Sequence, residues 1–440
     1  MEQSNSEYTN VVISKGENPK DCVLNGIDKL GGISNIIKEG DQVFIKFNLT
    51  LPQGFPSHTN IDTLEAIIEA CNEAGAKKVY LGSFPIKGMT INIISDFLGL
   101  KKYFLKIGAE LVFLDNSNYY YEKNLSKRDL QIIKSRNFSK INLNGKEFLF
   151  PKLILESDKY ISVNQVNVDP VFNLRLSILN SYSSTINNFH DDIIKTDNLK
   201  DLISLVLDVY SLRKPDLAIN DIFYILEGAG PFIYKDSNLK KTGLMVIGNN
   251  AIEVDMTTLK LIDTKNILYE EALNRNLGFN ISSQIKFIGE NPDNIKINIK
   301  ECISELNSIN LPNFSIKSGK MSLGDFEQAY HLLNFLKTSL IKDIKYISKV
   351  SFLIGEDPPE PEFFDKIIIF GDAAIKTTKL KKNLKILKLP GDPPNFLECI
   401  RLFVNFFGKG KAPLASYFHK INKYNTNQKL TKRFNIWEGL

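Results

Sequence analysis

The chain has 440 residues, 43% of them hydrophobic and 24% charged, with a formal net charge of +5. That balance belongs to a globular protein of about two to four domains and excludes a disordered, collagenous or disulfide-scaffold chain. No apolar run reaches the ~18–20 residues that a membrane-spanning helix needs.

The first 115 residues alternate strand and helix. Val43–Phe47 is a short apolar strand, followed by a turn-rich loop over Asn48–Asn60. Leu64, Ile67, Ile68 and Cys71 then fall at i, i+3, i+4, i+7, the spacing of a helix with one buried face. Thr59 or Asn60 is placed to cap it and Gly75 to stop it. Lys78–Gly82 reads as the next strand, so the unit is β–loop–α–β with a right-handed crossover and parallel neighbours. A helical stretch over 91–107 and a strand over 110–114 complete this lobe. Residues 116–144 are polar and read as a surface excursion. The second lobe, 116–290, has strands at 146–150, 159–163, 217–224, 243–248 and 284–288, with helices over 199–212 and 251–261. Composition turns to Ser, Asn and Lys over 291–324, which predicts a linker. A small unit, 325–440, follows, with a helix at 326–340, strands at 366–370 and 384–388, and a helix at 395–407. The expected architecture is multi-lobed α/β, with mostly parallel sheets flanked by helices and a small C-terminal α/β unit.

In parallel sheets ligands bind beyond the carboxyl ends of the strands. That rule selects Lys46, Asn48, Ser57, His58 and Thr59 after the first strand, leading into a helix N-terminus that favours an anion. A simple capping role is the alternative for Thr59. A second, acidic group holds Asp221, Glu227, Glu253, Asp255, Asp372 and Asp392. Asp221, Glu227 and Asp255 are candidate ligands for a divalent metal, and Glu227 and Asp255 candidate acid–base groups. Gly228-Ala-Gly230 beside Glu227 would let a ligand approach the backbone. Asp in Gly-Asp turns also has a purely structural explanation, because it bonds its own backbone. His190, in a polar loop, is a candidate for orienting a substrate. His58, His190, His331 and His419 make no i, i+4 pair, and no Walker or G-x-G-x-x-G loop follows a strand.

Cys22, Cys71, Cys302 and Cys399 form no C-x-x-C pair, so neither a zinc ribbon nor a locally encoded iron–sulfur cluster is expected. The polar N-terminus lacks the order of a signal peptide, and a cytoplasmic location is expected. Charge is uneven: residues 408–440 hold seven basic side chains against Glu438, and no acid lies between Ala373 and Gly391. These blocks offer an anionic-surface role for the region 376–433, while no specific nucleic-acid module is present.

Several segments, in order, resemble the domain-of-unknown-function family 362. They are Lys46-Phe-Asn-Leu49, Ser57-His-Thr-Asn60, Glu73-Ala-Gly-Ala-Lys-Lys-Val-Tyr-Leu-Gly-Ser83, Pro151-Lys-Leu153, Lys214-Pro-Asp-Leu-Ala-Ile-Asn-Asp221, Glu227-Gly-Ala-Gly-Pro231 and Ala251-Ile-Glu-Val-Asp255. The resemblance spans about residues 10–290 and implies an α/β fold without an agreed reaction. Many members carry a ferredoxin-like cysteine module that this sequence does not contain, so no iron–sulfur cluster is implied. Asn167, Asp169 and Leu179 stand where the family tends to show Lys, His and Lys, and Asn180 follows as the family's Asn does. Fewer cations imply weaker hold on a strongly anionic ligand. The resulting expectation is a small anionic metabolite in a cleft between lobes, contacted by Lys46, Asn48, Ser57, His58, Thr59, Asn167, Asp169 and His190. Acid–base or divalent-metal chemistry is one outcome. A ligand-binding or scaffold protein without chemistry is the alternative.

Overall fold

The structure, a computed structural model, describes residues 9–86, 89–115, 126, 128, 132, 136–143, 145–184, 198–278, 285–339, 348–380 and 384–407. His190, His419 and the basic segment 408–440 lie outside the described residues, as does most of 116–135.

In chain order the strands are β1 (Thr9–Lys15), β2 (Gln42–Phe47), β3 (Lys78–Gly82), β4 (Glu110–Val112), β5 (Phe138–Leu143), β6 (Lys146–Pro151), β7 (Lys159–Asp169), β8 (Asn173–Arg175), β9 (Leu217–Glu227), β10 (Asn238–Lys241), β11 (Leu244–Gly248), β12 (Ile285–Gly289), β13 (Phe314–Ser318), β14 (Val350–Ile354), β15 (Lys366–Phe370) and β16 (Ile386–Leu389). One ten-stranded sheet runs β12-β1-β11-β9-β7-β2-β3-β4, with β10 on β9 and β8 on β7. Within that path only β11 is reversed. It pairs antiparallel with both β1 and β9, while β2, β3, β4, β7 and β9 pair parallel. The two N-terminal lobes expected from the sequence therefore share a single sheet.

Side-chain alternation divides that sheet into two cores. Ile45 and Phe47 of β2 face the helix Ile61–Glu73, where Leu64, Ile67 and Ile68 are fully buried. Each such side chain contributes roughly 1.5–3 kcal/mol as an upper estimate. Asn60 caps this helix through its side-chain oxygen, which accepts from Asp62 N at 2.9 Å. Phe44 faces the opposite way, into a core with Val206, Ala218, Ile222 and Val254. Lys46 lies two residues on from Phe44 and so enters the same side of the sheet.

The stretch 91–107 is broken into helices Ile91–Leu98 and Leu100–Lys106 because Gly99 adopts a left-handed φ of 66°. The C-terminal unit begins earlier than the composition shift suggests, since β13 lies inside 291–324 and pairs parallel with β14. Its sheet is four parallel strands, β13-β14-β15-β16. Leu332, Leu333, Phe335 and Val350 of this unit join the same core as Ile45 and Phe47. It is packed onto the large sheet rather than tethered beside it.

Candidate functional site

β7 and β9 slip register between Gln165 and Asn167. Two side-chain amides replace the missing ladder bonds. Gln165 Nε2 donates to Tyr224 O at 2.7 Å and Asp221 O at 3.2 Å. Asn167 Nδ2 donates to Pro56 O at 2.7 Å, and its Oδ1 accepts from Leu226 N at 3.3 Å. Such a bulge bends the strand and re-aims the residues beyond it. Past it, Asp169 Oδ1 accepts from Val171 N (2.9 Å) and Phe172 N (2.8 Å), a turn that sends β8 back along β7.

The returning strand brings Arg175 onto Asp169, with Nε donating to Oδ2 at 2.7 Å. Arg175 Nη2 donates to Glu327 Oε1 at 3.0 Å, and Glu327 comes from the C-terminal helix Leu323–Ser339. Between these groups and the ends of β2 and β3 is a cavity of about 100 Å³. Lys46, Asn48, Ser83, Asn164, Asp169, Arg175, Asn180, Ser183 and Glu327 supply its polar wall, and Val171, Leu179, Leu202 and Leu323 much of its apolar one.

Lys46 is 1% exposed. Its Nζ donates to Asn180 Oδ1 (3.1 Å), Ser183 Oγ (3.1 Å), Phe47 O (3.2 Å) and Ser83 Oγ (3.4 Å), all neutral oxygens. Asn180 also fixes the strand, donating from Nδ2 to Lys46 O at 3.2 Å and Ser162 Oγ at 3.0 Å. Burial, with the Arg175 charge behind it, lowers the Lys46 ammonium to about 7. Asn164, fully buried on the same wall, donates from Nδ2 to Arg175 O at 2.9 Å, and its Oδ1 has no partner among the described residues.

Of the residues expected from the sequence, Lys46, Asn48 and Asp169 open onto this cavity together. Leu179 and Asn180 join them. The others have structural work elsewhere. Thr59 does not cap its helix. Its Oγ1 accepts from Asn48 N at 2.9 Å and lies 3.2 Å from Val163 O, so it anchors the loop behind the cavity. Ser57 Oγ donates to Gln53 Oε1 at 2.5 Å. His58 holds Thr59 O at 2.8 Å through Nδ1, and burial pushes the imidazole down to about 4. It is neutral, so the expected cation there is not supplied. Asn167 is spent on the bulge.

The expected metal set does not assemble. Asp221 accepts from Thr63 Oγ1 at 2.7 Å and Phe223 N at 3.0 Å, on the side of the sheet facing the helix Ile61–Glu73. Its neighbour Asn220 points to the opposite side and donates to Asp255 at 2.7 Å. Asp255 is saturated: Oδ1 takes Ser177 N and Asn220 Nδ2, and Oδ2 takes Ile178 N and Tyr269 Oη, all within 2.9 Å. It docks the start of the helix Ser177–Tyr182. Burial raises both carboxyls to about 6. Glu227, at the far end of β9, accepts from Asn238 Nδ2 at 2.9 Å and Lys300 N at 3.1 Å. The glycines beside it meet the chain itself, not an open approach: a β-carbon on Gly230 would lie 2.4 Å from Val168 O. Among the described residues no three His, Cys, Asp or Glu side chains gather to hold a metal ion.

Arg175, Glu327, Asn164, Ser83 and Ser183 are site residues that the sequence reading misses. Arg175 has a faint signal, a lone cation six residues after Asp169-Pro170. Glu327 has none, because only tertiary packing brings its helix to the cavity.

No curated protein matches the chain. A crystal structure of a protein from Thermotoga maritima, determined by the Northeast Structural Genomics Consortium, is similar at 13% identity and a TM-score of 0.31 over 63% of this chain and 62% of that one. The chain thus spans less than two thirds of that protein's length. No described helix is long and apolar enough to cross a membrane. Residues 43–260, which hold β2, β7, β8 and the helix Ser177–Tyr182, match the family described as Domain of unknown function (DUF362), and this region of the chain belongs to that family.

Proposed function

We propose that the cavity binds a small, singly charged anionic metabolite and that Lys46 exchanges a proton with it. The observation that carries this reading is an unpaired ammonium on a cavity wall. Among the described residues Lys46 meets only neutral oxygens, although a buried cation is ordinarily ion-paired. An arriving anion supplies the missing partner.

Charge count favours a monoanion. Protonated Lys46 and Arg175 are balanced by Asp169 and Glu327, so the empty wall is neutral and each further anionic charge goes uncompensated. Arg175 offers a point of attachment, since its Nη1 has no partner among the described residues while Nε and Nη2 are held. Lys46 suits proton exchange because an amine near neutrality can serve as acid or base. Metal-assisted chemistry finds no support in the donor set, because the three expected carboxylates lie apart and Asp255 has no lone pair to spare.

Thermal denaturation with acetate, lactate and inorganic phosphate at pH 6.5 and pH 8.5 tests the reading. Monoanions are expected to stabilise the protein, more at pH 6.5, and Lys46→Met to abolish the effect. The absence of any anion effect, or one that survives in Lys46→Met, overturns it. Binding without turnover is a second reading with its own observation: Leu179, at a position where the family resemblance suggests Lys, adds an apolar side chain to the wall.

A further inference from the structure

Resting on that reading, we propose that Lys46 forms a Schiff base with a small 2-oxo acid whose carboxylate pairs with Arg175. Among the described residues Lys46 is the only buried lysine. Among those residues no carboxylate lies within ion-pair distance of its Nζ, and the group opens onto a cavity rather than solid packing. Those are the surroundings that turn a lysine into a nucleophile: desolvation, a second cation nearby and room for a carbonyl carbon. Its depressed affinity for a proton leaves a sizeable neutral fraction at physiological pH, while exposed lysines remain charged.

Size fits the same class. A cavity of about 100 Å³ has room for a compact molecule of a few heavy atoms, the size of a small oxo acid. Polarity fits as well. Arg175 lines the cavity and takes the carboxylate, Ser83 Oγ, which accepts from Lys46 Nζ and Leu49 N, has its own proton to donate to the carbonyl oxygen, and Asn164 Oδ1 can accept from the carbinolamine hydroxyl.

The step balances without an oxidant or metal. The neutral amine's lone pair forms a bond to the carbonyl carbon while the C=O π electrons move to oxygen, which takes up a proton. The nitrogen loses a proton to give the carbinolamine, whose hydroxyl takes up a second proton from solvent and leaves as water while the nitrogen lone pair closes a protonated C=N bond. Protonated, that iminium withdraws electrons from the neighbouring carbon. The hydroxyls of Ser183 and Ser83, at 3.1 and 3.4 Å from Nζ, are placed to relay protons between amine and carbinolamine oxygen.

The test uses the full chain with pyruvate or glyoxylate and sodium cyanoborohydride at pH 7.5, followed by intact-mass and peptide mapping. One reduced adduct per chain is expected, on the peptide containing Lys46, with none there in Lys46→Arg. Peptide mapping of the wild-type protein locates the adduct even if that variant does not fold. Adducts scattered over exposed lysines with none at Lys46 overturn the proposal. Thermal stabilisation by lactate, which has no carbonyl, separates the two ideas. Lactate binding without trapping by pyruvate removes the Schiff base and leaves the anion site standing. If neither lactate nor pyruvate binds, the anion site falls too.

Discussion

Both sheets bring their parallel strands to a common carboxyl edge, and the two edges end differently. In the large sheet β7 runs on past a bulge and folds back through β8 and the helix Ser177–Tyr182, so its end stands away from β2 and encloses a cavity. In the small sheet β13, β14 and β15 run directly into Gly319, Gly355 and Gly371, and β16 reaches Gly391 one residue later. A β-carbon on Gly319 would lie 2.0 Å from the Glu356 carbonyl oxygen, and one on Gly391 2.7 Å from Pro394 Cα. Backbone fills the small edge where the large one leaves space. A parallel carboxyl edge therefore permits a site without creating one, and a long returning excursion is what makes room. The same holds for acidic residues there: Asp372 Oδ1 accepts from Gly391 N at 2.9 Å, a turn bond, not a ligand position.

The comparison is most exposed at Asp255, which docks the returning excursion of the large sheet. Asp255→Ala leaves four buried donors without an acceptor and is expected to cost on the order of 4 kcal/mol of stability in chemical denaturation. A loss below about 1 kcal/mol would mean that the excursion holds its place without that anchor. On the small edge, Gly319→Ala is expected to cost about 2–3 kcal/mol, because the obstacle is a backbone oxygen that cannot rotate away. At permissive temperature it should leave anion binding at the large edge within about twofold, a shift well under 1 kcal/mol.

Lys46→Met sharpens the contrast through pH. The folded-state ammonium titrates at about 7, below its ordinary value of 10.5. Between those values the unfolded chain binds more protons, so Lys46 makes wild-type stability rise with pH across that window. Below pH 7 the full cost of burying the charge is present. Lys46→Met should remove that slope and gain most, relative to wild type, at acid pH. Its anion affinity at pH 6.5 should fall at least tenfold, about 1.4 kcal/mol. Parallel stability curves for the two proteins between pH 7 and 10 would show that Lys46 is not the buried, unpaired cation described.

Much of the large sheet is legible in sequence because its strands and helices carry local signals. Val43–Phe47, the i, i+3, i+4, i+7 face of Leu64–Cys71 and Lys78–Gly82 each announce an element. β7 extends to Asp169 although the apolar signal in the sequence ends at Val163, because buried amides substitute for ladder bonds across the slip. The strand-end rule finds Lys46 and Asn48, yet cannot tell Asp221 from Asp255. Whether a carboxylate stitches or binds depends on which donors reach it, and those come from Thr63, Ser177, Asn220 and Tyr269, scattered over the chain. Asp169 is found for the wrong partner: the sequence suggests a lost cation at its position, and six residues later Arg175 brings one back.

The smallest expected effect tests how the two regions meet. Glu327 is the small unit's charged contribution to the large sheet's cavity, and its carboxylate neutralises part of Arg175. Glu327→Gln keeps an oxygen near Nη2 but removes the charge, taking the wall from neutral to net positive when Lys46 is protonated. Lactate should then bind roughly three- to tenfold more tightly at pH 6, about 1 kcal/mol, with the gain shrinking in high salt. The less neutralised Arg175 should also push the Lys46 ammonium further down, so the advantage fades sooner as pH rises. Asp169→Asn would be a poorer probe. Asp169 also accepts from Val171 N and Phe172 N, so its replacement disturbs the turn along with the charge. Unchanged or weaker lactate binding in Glu327→Gln would make the C-terminal helix a structural wall only. A gain that follows charge and salt would make it the element that sets how much anion the cavity accepts.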